Sequence, residues 1–144
     1  MNSNKSNNKD GDSPKRFTER ELRSRLNPIQ FAVTQEKATE IPFSGEYHNH
    51  YESGHYHCIV CEQKLFSSQT KFPTSCGWPA FNSPWSKKNI NLTEDRSHNM
   101  IRTEVTCSGC NAHLGHVFDD GPLKDPTRYC INSAALKFIR KIPK

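Results

Sequence analysis

The sequence predicts one mainly β domain with antiparallel strands, a short helical N-terminal preface and a zinc staple. Helix-start signals precede position 42. After Pro42, short segments with β-branched and aromatic residues alternate with glycine, proline, asparagine and serine, as is typical of β structure. Four of the six cysteines form two Cys-x-x-Cys pairs. A chain of 144 residues, 33% of them hydrophobic, is expected to bury only a modest core, which a metal would help to stabilise.

Two helices are predicted before residue 42. Thr18 is placed as an N-cap, and Glu21 three residues later completes a capping box. Asn27 and Pro28 end this helix and can start a second, short one that runs to Val33.

The rest of the chain carries the β pattern and has no strong helical periodicity. Six segments combine β-branched or aromatic residues with flanking turn residues and are predicted to be strands: 55–60, 64–67, 100–106, 114–118, 128–133 and 136–140.

The charge distribution argues against a nucleic-acid-binding protein. The net charge is +5, but residues 1–25 carry seven Lys/Arg and four Asp/Glu, so +3 of it lies in this part. The remainder is nearly balanced and has no dense basic stripe with interleaved aromatic residues. No nucleic-acid partner is therefore expected.

Residues 1–16 are polar and lack aromatic side chains, which predicts a disordered tail before a single domain at 17–144. Because the tail has no apolar run, neither a signal peptide nor a membrane span is expected. A cytoplasmic, reducing compartment follows, where Cys-x-x-Cys motifs bind metal or do redox chemistry more often than they form structural disulfides. A secreted protein with three disulfides is the alternative.

The four paired cysteines predict one structural zinc ion. They are Cys58, Cys61, Cys107 and Cys110, and Cys107 follows Cys61 by 46 positions. Each pair can form a tight turn whose thiolates face one metal, and two such turns complete a closed tetrahedron. Four thiolates leave no open position, so a catalytic metal is not expected. Buried free thiols and two local disulfides are the alternatives.

Cys130 lies in a predicted strand between two polar residues. Side chains alternate along a strand, so Arg128, Cys130 and Asn132 would share one face. A nearby cation lowers the pKa of a thiol and favours its nucleophilic form. Cys130 is therefore a candidate nucleophile, although an ordinary half-buried strand explains the same pattern.

Cys76 lies in a segment rich in loop signals. It is followed by Gly77, Trp78 and Pro79, which disfavour a regular strand. A cysteine on a loop can move, as a resolving thiol must. Trp78 is unusual in such a loop, although burial in the core is the more common location of a tryptophan.

Two histidines follow the second metal pair. His113 and His116 can converge if the chain turns at Gly115. Four thiolates already complete the coordination of one zinc ion, so proton donation or hydrogen bonding to a substrate is the more specific hypothesis for these histidines. Metal ligation and a structural role remain as alternatives.

Taken together, these segments resemble the methionine sulfoxide reductase B family (peptide-methionine (R)-S-oxide reductases) over about residues 17–142. The most specific blocks are His-Leu-Gly-His-Val-Phe at 113–118 and Arg-Tyr-Cys-Ile-Asn-Ser at 128–133, and Cys-Gly-Trp-Pro at 76–79 also matches. The loop before Cys76 and Ala80 depart from the family pattern, which bears on the mobility of Cys76. The resemblance implies two antiparallel sheets with a few peripheral helices.

The resemblance also implies a role for each matching residue. Cys130 aligns with the nucleophile that attacks the sulfoxide sulfur, and Cys76 aligns with the resolving cysteine. The residues implied to handle the sulfoxide oxygen or to support the thiolate are His113, His116, Asn132 and Arg128. The residues implied to contact the rest of the substrate are Trp78, against its methyl group, and Phe118. The residues that match the structural zinc site of zinc-bearing members are Cys58, Cys61, Cys107 and Cys110.

The implied activity is the reduction of methionine-R-sulfoxide, free or in oxidised proteins, to methionine. Cys130 would become a sulfenic acid, Cys76 would condense with it to a disulfide, and thioredoxin would reduce that disulfide. A monomer without membrane attachment is expected. Two rival functions, a zinc-knuckle binding module and a zinc-stabilised chaperone-like protein, leave Cys76 and Cys130 without a role.

Overall fold

The structure is a computed structural model that describes residues 15–141. Within this range the chain forms two helices and eight strands. The helices are α1 (Glu19–Arg25) and α2 (Pro28–Glu36), and the strands are β1 (Gly54–Cys58), β2 (Lys64–Ser67), β3 (Ala80–Phe81), β4 (Ile90–Asp95), β5 (Arg102–Cys107), β6 (His113–Phe118), β7 (Arg128–Ile131) and β8 (Leu136–Arg140). Residues 1–14 of the predicted tail lie outside the described range, so the tail stays a prediction.

Both helices begin at a capping box. In α1 the Glu21 N–H donates to Thr18 Oγ1 (3.0 Å), and the Thr18 N–H donates to Glu21 Oε1 (2.8 Å), which confirms the prediction. In α2 Asn27 and Gln30 make the same reciprocal pair of bonds, and Pro28 occupies the first turn. Helix α2 runs to Glu36, three residues beyond the predicted end.

The strands form two antiparallel sheets, which confirms the mainly β prediction and the fold that the resemblance implied. The small sheet has the order β2-β1-β8, and the large sheet has the order β3-β7-β6-β5-β4. In the small sheet Tyr56 of β1 lies opposite Phe66 of β2. In the large sheet Cys130 of β7 lies between Ala80 of β3 and His116 of β6.

Aromatic side chains pack the two sheets together. The rings of Phe66 and Phe81 stack with their centroids 4.4 Å apart, and Tyr56 meets Phe81 edge-on at 5.2 Å. Other side chains with at most 1% of their surface exposed are Val33, Leu65, Val105, Leu114 and Ile131. Burial of each such side chain is worth about 1.5–3 kcal/mol. Strands β6 and β7, which carry most of the predicted site, therefore stand on a packed core.

Two strands were not predicted, two predicted strands end too late, and the predicted strand 100–106 starts two residues before β5. Strand β4 has one buried residue, Ile90, followed by four exposed ones, so no alternation marks it; it forms because six of its residues pair with β5. Strand β3 is only two residues long. Strand β1 ends at Cys58 because the first cysteine pair turns there, and β7 ends at Ile131 because a 3₁₀ helix starts at Ser133. Within residues 15–141, no helix has the length and apolarity that a bilayer crossing requires.

Candidate active site and metal centre

The four paired cysteines form one cluster. Their sulfur atoms all lie within 4.8 Å of one another. The Sγ atoms of Cys58 and Cys110 are 3.6 Å apart, and those of Cys61 and Cys107 are 3.5 Å apart. Tetrahedral zinc with Zn–S bonds of about 2.3 Å holds its sulfur ligands about 3.8 Å apart. The residues therefore fit a zinc ion, although other tetrahedral thiolate metals would use the same ligands.

The two halves of this cluster have the same backbone form. The Glu62 N–H donates to Cys58 O (2.8 Å), and the Asn111 N–H donates to Cys107 O (2.7 Å). Glu62 and Asn111 both adopt left-handed conformations, with φ of 68° and 65°. One turn follows β1 in the small sheet and the other follows β5 in the large sheet. A metal at this point would join the two sheets.

The acidity of these thiols also favours a bound cation. The neighbouring thiols, Cys107 foremost, together with burial raise the pKa of Cys58 far above its ordinary value. Four thiols this close cannot all ionise to thiolates without a compensating positive charge. A divalent metal provides that charge, and four thiolates close its coordination shell, so its role here would be structural.

Cys130 is buried on β7 with a guanidinium against its sulfur. Nη1 of Arg128 lies 3.2 Å from Cys130 Sγ, and the two residues share a strand face as predicted. Two hydrogen bonds from Arg128 to the Asp120 carboxylate, at 2.8 and 3.0 Å, fix the guanidinium. The guanidinium also lies over the ring of Phe118, 4.6 Å from its centroid. The hydrogen bond to Asp120 raises the pKa of Arg128, so the cation beside Cys130 is permanent.

Cys76 lies on a loop directly beside Cys130. Their sulfur atoms are 3.3 Å apart, so a small movement brings them to the disulfide distance of about 2.05 Å. Gly77 has a φ of 98°, a conformation that favours glycine, and its carbonyl accepts a hydrogen bond from the Phe43 N–H (2.7 Å). The structure thus brings together the two unpaired cysteines.

The two thiols differ in acidity in this arrangement. The hydrogen bond from Cys130, assisted by Thr74, lowers the pKa of Cys76 to about 5 against the opposing effect of burial. The same contact with Cys76 and the deeper burial of Cys130 raise the pKa of Cys130, while Arg128 opposes that rise. One proton is thus shared between the two sulfur atoms, and in this arrangement the negative charge lies mainly on the sulfur of Cys76.

A cavity of about 70 Å³ opens next to Cys130. The predicted site residues that line it are Cys130, Trp78, His116, Phe118 and Asn132. Cys76 and Arg128 contact Cys130 but line a separate depression, together with Asp120. A substrate in the cavity and the thiol of Cys76 therefore reach the Cys130 sulfur from different directions.

Trp78 and Asn132 are fixed by the backbone around Glu40. The Trp78 Nε1–H donates to Glu40 O (3.1 Å), and the Glu40 N–H donates to Asn132 Oδ1 (2.9 Å). Asn132 also donates from Nδ2 to Leu114 O (2.9 Å), so both ends of its amide are engaged. The buried Glu40 carboxylate accepts backbone N–H groups from the two residues after Asn132, 133 and 134.

A bulge in β6 places the two histidines on one side. Thr106 of β5 faces His113 and Val105 faces Gly115, so Leu114 is an extra residue. The rings of His113 and His116 lie 5.5 Å apart. The two histidines thus converge because of the bulge and not because the chain turns at Gly115. Glycine is needed at position 115 for a different reason, since a Cβ there would collide with the carbonyl oxygen of Cys130.

The two histidines have different surroundings. Nε2 of His116 lies 2.7 Å from Asp95 Oδ2, and His116 lines the cavity. Nδ1 of His113 lies 2.8 Å from Glu104 Oε2, and its Nε2 is buried without a hydrogen-bond partner among the described residues. Burial lowers the pKa of His113, with Glu104 opposing. The structure brings His116, and not His113, to the cavity.

Sequence reasoning missed the acidic partners of the site. Asp120 supports Arg128, Asp95 contacts His116, and Glu104 contacts His113. It also missed two residues that line the cavity, Thr39 and Arg102. An acid eight residues before Arg128 is a weak signal for Asp120, whereas the other contacts arise only from the folded sheet.

Comparison with known proteins gives consistent results. The model of the SelR domain matches residues 26–140. The chain is 51% identical over 127 residues to the peptide methionine sulfoxide reductase MsrB of Thioalkalivibrio sulfidiphilus, covering 88% of this chain and 93% of the relative. It is 52% identical to methionine-R-sulfoxide reductase B1 of Drosophila melanogaster and 54% identical to mitochondrial methionine-R-sulfoxide reductase B3 of Mus musculus, each over 85% of this chain. The chain spans 65% and 48% of the length of these two animal relatives.

A solved structure shares the fold at lower similarity. The Mis18 'Yippee-like' domain superposes with a TM-score of 0.52 at 18% identity, covering 64% of this chain and all of that one. The two-sheet fold, the four-thiol cluster and the separate thiol pair define a SelR domain. The chain belongs to the methionine sulfoxide reductase B family.

Proposed function

We propose that this protein reduces methionine-R-sulfoxide to methionine, with Cys130 as the nucleophile and Cys76 as the resolving thiol. One observation carries the proposal. The sulfur of Cys130 borders the cavity while it contacts both Arg128, at 3.2 Å, and Cys76, at 3.3 Å. The names of the relatives at about 50% identity support the substrate class and the R epimer.

In the first step the proton shared by the two sulfurs moves to Cys76, and the Cys130 thiolate attacks the sulfoxide sulfur. Trp78 and Phe118 provide aromatic surface for the methyl group beside that sulfur. The sulfoxide oxygen must gain a proton as its bond to the substrate sulfur breaks, and His116 is the titratable group placed to donate it. Methionine leaves, and the oxygen is transferred to Cys130 as a sulfenic acid.

In the second step Cys76 attacks the Cys130 sulfur. The S–O bond breaks, water leaves after the hydroxide takes up a proton, and a Cys76–Cys130 disulfide forms. The hydrogen bond from the Cys130 thiol, which chiefly lowers the pKa of Cys76 in the reduced pair, is gone at this stage, and Thr74 and the charge of Arg128 remain to favour the Cys76 thiolate. Thioredoxin would then reduce the disulfide by attack on Cys76, the more exposed sulfur.

The proposal includes the remaining features of the working protein. Residues 17–144 form a single catalytic domain, held by one structural Zn²⁺ at the four-cysteine cluster. The substrate is methionine-R-sulfoxide, either free or in oxidised proteins. The protein is a monomer in the cytoplasm and has no nucleic-acid or membrane partner.

An epimer-resolved turnover assay with thioredoxin tests the proposal. Wild-type protein is expected to consume the R epimer and leave the S epimer. Cys130→Ser should abolish turnover, and Cys76→Ser should release about one methionine per protein and then stop. Full activity of Cys130→Ser would overturn the nucleophile assignment, and a wild-type protein without turnover would favour the zinc-knuckle binding module. Unchanged steady-state turnover of Cys76→Ser would contradict its resolving role.

A further inference from the structure

Asp95, the last residue of β4, contacts three groups at once. Its Oδ2 lies 2.7 Å from Nε2 of His116 and 3.5 Å from Nη2 of Arg102. Its Oδ1 accepts the backbone N–H of Ser97 at 2.9 Å. The last bond fixes the carboxylate by the turn that follows β4. The carboxylate is therefore fixed independently of the histidine.

The sheet register places Asp95 two residues away from the row of the reacting sulfur. That row runs from Thr93 of β4, through β5, to His116 of β6 and Cys130 of β7. Asp95 lies opposite Arg102 of β5, so its carboxylate reaches His116 diagonally across that strand. The Asp95 and His116 side chains are 17% and 11% exposed, so water screens their contact less than it screens a surface pair. His116 on β6 thus lies between Asp95 on β4 and Cys130 on β7.

We propose that Asp95 is a positioning residue for His116, which rests on the proposed function of the cavity. Its carboxylate accepts the Nε2 proton, fixes the plane of the ring, and leaves Nδ1 as the nitrogen that can donate to the sulfoxide oxygen. Nδ1 can donate when it carries a proton, and the contact at Nε2 fixes which nitrogen faces the substrate. The pKa of Asp95 is well below its ordinary value, chiefly because of the hydrogen bond with His116, which is consistent with this pairing.

Other charges face His116, but each has a different principal partner. These titratable and charged groups are Arg102 and Glu104 on β5, His113 on β6, Arg128 and Cys130 on β7, and Lys37 after α2. Glu104 is held by His113 and Lys37. Arg102 and Arg128 oppose the imidazolium, whereas a Cys130 thiolate favours it. Among the described residues, Asp95 is the carboxylate in hydrogen-bond contact with His116.

The test compares Asp95→Asn with a matched control, Glu94→Gln. Asparagine keeps an acceptor for the Ser97 N–H but removes the charge. Glu94 precedes Asp95 on the same strand, is 57% exposed and pairs with Arg96. Asp95→Glu, which keeps the carboxylate, is the second variant in case the asparagine variant folds poorly. The ring nitrogens of His116 are observed by ¹⁵N NMR, with His116→Gln for assignment, and the single-turnover rate on methionine-R-sulfoxide is measured.

In wild-type protein the ¹⁵N signals should report a proton on Nε2, the nitrogen that contacts Asp95. In Asp95→Asn this preference should weaken, because an amide oxygen is a poorer acceptor than a carboxylate. The single-turnover rate should fall about tenfold, a part of the roughly 10²–10⁴-fold that a positioned acid contributes. Asp95→Glu should retain more of the rate than Asp95→Asn, and Glu94→Gln should match wild type.

An unchanged pattern of His116 ¹⁵N signals in Asp95→Asn, or an unchanged single-turnover rate, would overturn the proposal. The NMR measurement does not require activity. If wild-type protein failed to reduce methionine-R-sulfoxide, the proposed function would fail, while the NMR signals would still decide whether Asp95 fixes the tautomer of His116.

Discussion

The carboxylate of Asp120 holds the guanidinium of Arg128 in the plane from which it reaches Cys130. Two parallel hydrogen bonds, from Nε at 2.8 Å and from Nη2 at 3.0 Å, leave Nη1 directed at the sulfur 3.2 Å away. Bidentate geometry of this kind restricts the orientation of the guanidinium as well as its position. An exposed acid thereby fixes the cation beside a buried thiol.

Replacement of this guanidinium should therefore weaken the nucleophile. In Arg128→Met the pKa of the Cys130 thiol should rise, because the cation that favours its thiolate is lost. The single-turnover rate at neutral pH should fall roughly tenfold, the change that accompanies one pKa unit. The thiol is titrated by the pH dependence of its alkylation in a Cys76→Ser background. Arg140→Met, which removes an exposed arginine paired with Glu52, is the control, and equal rates for the two variants would contradict the role of Arg128.

Alkylation of Cys76 in the reduced protein should be insensitive to pH near neutrality. Because the hydrogen bond from the Cys130 thiol lowers the pKa of Cys76 to about 5, its thiolate is nearly complete at pH 7 and is lost as pH falls through about 5. An ordinary thiol of pKa about 8.5 would instead react about tenfold faster for each unit between pH 6 and 8. Mass spectrometry of the alkylated Cys76 peptide measures this rate, and a tenfold rise for each pH unit would contradict the lowered pKa. Thr74→Val, which removes a hydrogen bond that helps to lower the pKa of Cys76, should shift the profile upward.

Loss of one cluster cysteine should destabilise the whole domain. Cys58→Ser removes a metal ligand and leaves three neighbouring thiols crowded together, so the free energy of unfolding should fall by about 4 kcal/mol or more. Urea unfolding measures this change, and metal analysis should give about one zinc per wild-type protein. Cys76→Ser, a cysteine outside the cluster, should change stability by less than about 1 kcal/mol. Wild-type protein without zinc after purification free of chelators would contradict the metal assignment.

The buried carboxylate of Glu40 should contribute to both stability and activity. Glu40→Gln turns one acceptor into a donor that faces a backbone N–H of Ser133 or Ala134, which should cost about 1–3 kcal/mol. Activity should fall because Trp78 and Asn132 are anchored to the same residue. Unfolding curves and single-turnover rates measure the two effects. Glu46→Gln, at an exposed position nearby, should leave both unchanged.

The features that sequence reasoning predicted are local ones. The capping box at Thr18 and Glu21 lies within four residues, and each cysteine pair closes within its own turn. Arg128 and Cys130 share a strand face because two residues are one strand period. Residue spacing alone was sufficient for these predictions.

The features that it missed depend on distant pairing. Glu40 meets Asn132 across 92 positions, and strand β4 exists only because β5 pairs with it. The convergence of His113 and His116 needs a bulge that no sequence signal marked. Register and bulges are set by pairing across the whole sheet, so the sequence alone could not show which acidic residues contact the site.

The metal centre has a consequence for how the protein would fail. The cysteine turns close a loop between Cys61 and Cys107 that contains Cys76, Trp78 and Asp95. Chelation would release the resolving thiol, the aromatic wall and the histidine support in a single event. Loss of the metal would therefore inactivate individual protein molecules completely and would not lower the turnover rate of each molecule gradually.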